Sequence, residues 1–168
     1  MRNTASIISS HNHNILNPKP TIFGCNCKVK NDCPLNGECL TPNIIYRADV
    51  VNETTDEKKF YYGTSETTFK ERYRNHCRDA KNAKYKKCTE LAKYIWELKD
   101  QNANYKVNWS IASKIHDKSN SLMCKLCLME KYWIIKNFDN SNQLNKKSEL
   151  INKCRHQNKI ILKNVKMK

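Results

Sequence analysis

The sequence predicts an α/β (α+β) domain, a small mixed sheet flanked by helices in the order β-β-α-α-β-α, with an N-terminal cysteine-rich knot. Three observations carry this. Two runs rich in β-branched and aromatic residues, "NIIYRADVV" at 43–51 and "KKFYYG" at 58–63, flank the polar turn "ETTDE". Apolar residues further on recur at the three- and four-residue spacing of a helix face. Four cysteines crowd between Cys25 and Cys39 among turn-forming residues.

In chain order, residues 1–22 read as a flexible tether: they are polar, carry the stiff break "NPKP" and show no periodicity. Residues 23–40, "FGCNCKVKNDCPLNGECL", form the knot, and the main domain runs over 41–168. Its first two strands pair as a hairpin. A helix over 67–80 follows, and Thr68 with Glu71 fits a capping box. "TELAKYIWELKDQN" at 89–102 is a second helix with Leu91, Tyr94, Ile95 and Leu98 on its apolar face. "YKVNWSI" at 105–111 alternates apolar and polar residues, as a half-buried strand does. "SLMCKLCLMEKYWIIKNF" at 121–138 is a strongly apolar helix, expected at the centre of the fold. A basic tail, "CRHQNKIILKNVKMK", closes the sequence.

A chain of 168 residues, 39% of them apolar, suits one core rather than two. With three glycines, glycine-rich phosphate loops and dinucleotide fingerprints are excluded. No apolar run approaches the roughly 20 residues of a membrane helix. The N-terminal stretch lacks the continuous apolar core of a secretory signal, so an intracellular protein without a membrane partner is expected. The formal charge of +15, from 31 Lys and Arg against 16 Asp and Glu, favours a polyanionic partner such as nucleic acid. The alternative is compositional, because Lys, Asn, Ile and Tyr are abundant together, as in products of an AT-rich genome.

In an intracellular setting, metal binding accounts for nine cysteines better than disulfides do. Cys25, Cys27, Cys33 and Cys39 form C-x-C-x5-C-x5-C, compact enough to close around one Zn²⁺, with unpaired thiols as the alternative. Cys124, Cys127, Cys154 and His156 could make a second, Cys₃His, site. Equally, Cys124 and Cys127 could be small buried apolar residues. Cys77 and Cys88 are left without a role.

A few polar residues stand out from this frame. Tyr46 and Tyr61 fall on the two hairpin strands, and Arg72 and His76 share a helix face. Glu130 interrupts an apolar helix, where a carboxylate is costly to bury unless it is paired or holds a metal. Asn145 follows. Each has an ordinary reading as well: cross-strand packing for the tyrosines, a solvated face for Arg72 and His76, an exposed or salt-bridged position for Glu130. Lys70, Arg74, Arg78 and Lys81 read as solvated or DNA-facing charges on the same helix.

In order and interval these six residues resemble the GIY-YIG nuclease family: Arg72 lies 11 residues after Tyr61, His76 four after that, and Asn145 15 after Glu130. From Cys25 onward, "CNCKVKNDCPLNGECLTPNIIYRADV", "TFKERYRNH", "TELAKYIWELKD", "CKLCLMEKYWII" and "LNKKSELINKCRHQNK" look like the endonuclease region of Penelope-like retroelements. There are departures: the first motif reads Ile44-Ile45-Tyr46 and the second Tyr61-Tyr62-Gly63, so a glycine and an isoleucine are replaced.

The resemblance implies a DNA endonuclease that nicks target DNA to prime retroelement integration. It implies Mg²⁺ (or Mn²⁺) held chiefly by Glu130, Arg72 on the scissile phosphate and Tyr46 on the attacking water. Tyr61 and His76 would position the phosphate and relay protons, and Asn145 would orient a backbone turn or phosphate near the metal. It further implies a nuclear location, with element RNA and an element-encoded reverse transcriptase as possible partners; the chain is too short to contain that polymerase. The alternatives are a catalytically inactive, zinc-containing nucleic-acid-binding module and a zinc-stabilised interaction domain with no nucleic-acid role.

Overall fold

The structure, a computed structural model, describes residues 24–115, 124–151 and 154. Strand β1 (Ile44–Asn52) is central: it pairs antiparallel with β2 (Lys58–Ser65) on one side and with β3 (Tyr105–Lys114) on the other. The helices are α1 (Phe69–Lys81), α2 (Glu90–Asp100), α3 (Lys125–Lys136) and a short α4 (Lys147–Ile151). The fold is therefore α+β in the expected order, with α4 added after it. All three strands are antiparallel, and the parallel part of the expected mixed sheet shrinks to one bridge between Phe60 and Gln143. The tether at 1–22, His156 and the rest of the tail beyond Cys154 lie outside the described residues. No described helix is long and apolar enough to cross a membrane.

Successive side chains of β1 point to opposite faces of the sheet. Ile44, Tyr46, Ala48 and Val50 pack with Phe69 of α1 and with Leu91, Tyr94, Ile95 and Leu98 of α2. Ile45 packs on the other face with Phe60, Tyr62, Leu126 and Ile134, beneath α3. The central position expected of α3 does not form. Leu126 and Ile134 are buried, but Leu128, Tyr132 and Ile135 are 51%, 49% and 59% exposed. A helix laid over one face of a narrow sheet buries only one side, however apolar its sequence.

The two helices on the first face start differently. In α2, Thr89 is an N-cap whose hydroxyl accepts from the Ala92 N–H at 3.0 Å. Its end is closed by Asn102 at φ 53°, with the Ala103 N–H returning to the Leu98 carbonyl at 2.9 Å. In α1, Thr68 makes no side-chain cap bond, so the capping box expected of Thr68 and Glu71 is absent. The Phe69 N–H instead donates to the Thr41 carbonyl at 3.2 Å, and the Lys70 N–H to the Cys39 carbonyl at 2.8 Å. Cys39 of the knot and Thr41 just beyond it thus satisfy donors that a helix's own first turn cannot. The knot is seated on the domain by Leu35, which is buried in the main core.

Strand β2 would be an open edge. It is covered by the segment before α4: the Phe60 N–H donates to the Asn142 carbonyl at 2.9 Å, and the Leu144 N–H to the Phe60 carbonyl at 2.8 Å.

Candidate functional site

Strand register decides where the tyrosines meet. Tyr46 lies opposite Gly63 and Ala48 opposite Tyr61, so both tyrosines face α1 from neighbouring pairs. Gly63 makes room for this. A Cβ there would sit 2.4 Å from the Tyr46 hydroxyl oxygen, 2.6 Å from Tyr46 Cζ and 3.0 Å from Tyr61 Cε1. The missing side chain lets the Tyr46 ring lie across β2 with no exposed surface.

Helix α1 supplies the partners. Phe69, Arg72 and His76 share its inward face at three- and four-residue spacing. Arg72 Nε donates to the Tyr46 hydroxyl at 3.1 Å, and His76 Nε2 lies 2.7 Å from the same oxygen. His76 is buried, with its ring 5.2 Å from that of Trp109 on β3. The solvated-face reading of Arg72 and His76 therefore fails. Both tyrosines belong to the main core, so for them the packing reading holds alongside any chemical one.

Electrostatics follow from this burial. Burial raises Tyr46 above the usual phenol range, and Arg72 offsets this only in part. Tyr61 is pushed up further, again mainly by burial. Burial, then the Arg72 charge, lowers His76 to about 3, so the imidazole is neutral at ordinary pH. The Tyr46 hydroxyl and desolvation act on Arg72 in opposite directions, and the guanidinium ends more firmly charged than usual.

Glu130 comes from α3, on the other layer, yet its charge is felt at Arg72, Tyr46 and Tyr61. Burial and the neighbouring Glu149 raise its carboxyl to about 7, against the opposing pull of Arg72 and Lys131. Asn145 is buried at the free edge of β2, where its side chain imitates a strand. Its Oδ1 accepts from the Tyr62 N–H at 2.7 Å, and its Nδ2 donates to the Tyr62 carbonyl at 2.9 Å and to Glu149 Oε2 at 2.6 Å. The backbone that Asn145 holds is that of strand β2 and not of a turn. Burial raises Glu149 too, with the Asn145 amide opposing. Sequence reasoning missed Glu149; the only local signal is its position four residues after Asn145 at the start of a helix.

The expected DNA-facing charges divide. Lys70 Nζ donates to Asn26 Oδ1 at 2.6 Å and to the Asn26 carbonyl at 3.3 Å. Arg78 is paired with Asp79 at 2.7 Å and lies 4.3 Å over the Tyr85 ring. Arg74 and Lys81 are exposed, on the side of α1 turned away from Arg72.

The sulfur atoms of Cys25, Cys27, Cys33 and Cys39 all lie within 4.8 Å of one another, with Cys27–Cys39 at 3.7 Å and Cys25–Cys39 at 3.5 Å. Metal–sulfur bonds of about 2.3 Å in a tetrahedron give sulfur–sulfur edges of about 3.8 Å. Burial pushes the Cys33 thiol up, but N–H groups of Gly37, Leu35 and Cys39 outweigh it and bring it to about 7. Cys124, Cys127 and Cys154 form a second group within 4.8 Å, with Cys127 and Cys154 at 3.3 Å. Both groups could hold a metal ion. Cys77 and Cys88 join neither among the described residues. The chain matches no protein-family model, no curated protein and no solved structure.

Proposed function

We propose that this chain is a divalent-metal-dependent DNA endonuclease of the GIY-YIG type, nicking target DNA to prime retroelement integration. The observation that carries the reading is convergence on one oxygen. Arg72 and His76 both reach the Tyr46 hydroxyl, and the Glu130 charge is felt at Tyr46 and Arg72.

Arg72 uses its Nε on Tyr46, which leaves the outer edge of the guanidinium to fork onto a scissile phosphate. Tyr46 orients rather than abstracts, because burial keeps its proton above the ordinary phenol range of about 10. His76 acts as a neutral partner that holds the hydroxyl in place. Glu130, titrating near neutrality, is the hard oxygen donor suited to Mg²⁺ or Mn²⁺. Such an ion, when bound, neutralises charge on the phosphate and makes its water more acidic. Zn²⁺ is the structural ion proposed for both thiol groups. DNA is the partner, element RNA and a reverse transcriptase of the same element are further ones, and the nucleus is the place of action.

Supercoiled plasmid, incubated with the full chain with and without Mg²⁺, tests the reading. Arg72→Ala and Glu130→Ala should each lower nicking by at least about 100-fold while keeping circular dichroism and DNA affinity. Cleavage by either variant at the wild-type rate refutes the assignment.

A second reading, a catalytically inactive zinc-containing nucleic-acid-binding module, is favoured by one observation. Tyr46 has no exposed surface, so its ring does not meet solvent directly. That reading predicts salt-dependent DNA binding with no Mg²⁺-dependent nicking.

A further inference from the structure

We infer that metal in the Cys25–Cys39 thiol group sets the start of α1, and through it the position of Arg72. Helix α1 lacks a side-chain cap of its own, whereas α2 has one in Thr89. The carbonyls that receive the first N–H groups of α1 belong to Thr41 and to Cys39, itself a member of the thiol group. Lys70 is gripped a second time, because its ammonium donates to both oxygens of Asn26, which lies between Cys25 and Cys27. The two ends of the knot therefore close on one residue, two positions before Arg72. An ion that ties the sulfurs of Cys25, Cys27 and Cys39 holds the Asn26 and Cys39 carbonyls at a set separation. Without it the knot keeps buried Leu35, the Lys114–Glu38 ion pair, the Leu40 N–H to Gly24 carbonyl bond at 3.2 Å and its own turns, none of which ties Asn26 directly, and eight residues separate Asn26 from Leu35 along the chain. Free energy linked in this way is reciprocal: if the ion fixes Lys70, Lys70 strengthens binding of the ion.

The experiment uses the full chain, purified under reducing conditions, loaded with Zn²⁺ or stripped by a chelator, and followed by hydrogen exchange. In the stripped protein the segment 69–72 should exchange at least about tenfold faster, while β1 stays protected. Equal protection of 69–72 in both forms, with zinc loss verified by mass spectrometry, overturns the inference, as does a chain that takes up no zinc. If stripping unfolds the whole chain, so that β1 also exchanges, the zinc-loaded Lys70→Met variant decides. It should bind zinc several-fold more weakly in competition with a chromophoric chelator and show faster exchange at 69–72. Wild-type values for both overturn the inference. Neither readout uses nicking, so a chain that never cuts DNA removes the nuclease reading and leaves this one standing.

Discussion

Burial acts on both halves of the candidate site and moves them in opposite directions. Around Tyr46, it neutralises a base: His76 falls to about 3, and the hydrogen bonds that join the Tyr46 hydroxyl to Arg72 and His76 close within the fold. Around Glu130, it protonates an acid, lifting the carboxyl to about 7. Desolvation disfavours whichever form is charged, so one physical cause sends an imidazole down and a carboxyl up. The Tyr46 half is a packed hydrogen-bonded unit that needs no ion to be complete. The Glu130 half keeps a carboxyl that changes charge in the range where a cation can compete with a proton.

The most severe way to break this contrast is Gly63→Ala. The added methyl would overlap a Tyr46 ring that is fully buried and hydrogen-bonded at its tip, so nothing flexible can give way. A loss of about 3 kcal/mol is expected in urea unfolding; an unchanged midpoint would mean that the ring is not held where the register puts it. Asn145→Ala attacks the other half. It strips both backbone partners from Tyr62 and frees Glu149, at about 2 kcal/mol. Hydrogen exchange at Tyr62 should rise while Ala48 stays protected. Tyr46→Phe is milder, about 1 kcal/mol, because the ring remains while Arg72 Nε and His76 lose their common partner.

The subtlest test separates the halves by pH. Glu130 titrates higher in the folded chain than its ordinary 4.5, so its stabilisation is full below 4.5 and lost as pH rises through about 7. His76 titrates lower than its ordinary 6.5, so its contribution is present above 6.5 and lost as pH falls toward about 3. The stability difference between wild type and Glu130→Gln should therefore shrink or reverse between pH 4.5 and 7, without change on the acid side of that window. A difference independent of pH would place Glu130 in water. On the same ground, Mg²⁺-dependent nicking should climb as pH passes 7, when the proton no longer holds the carboxylate.

Much of this was legible in advance. The strands at 43–51, 58–63 and 105–111 and the helices at 67–80 and 89–102 announced themselves by period and by turn residues, which are local properties. The four cysteines of the knot were close enough in sequence to meet with little help from the fold. The apolar helix around Glu130 was legible as a helix but not in its place, since composition does not say how wide a sheet it must cover. Lys70 looked like one more surface charge, and only the folded knot turns it into a clamp on Asn26.

The sequence by itself determined the three strands, the first three helices, their order and the candidate ligands, because backbone preference and hydrophobic period act over a few residues. Only the tertiary structure decided that β1 is central, that Tyr46 lies over Gly63, that the knot rather than Thr68 starts α1, and that Glu149 stands beside Glu130. Each of these depends on which residues meet across 17 or more positions of chain, as between Tyr46 and Gly63. Such meetings follow from register and burial in three dimensions, and no short stretch of sequence encodes them.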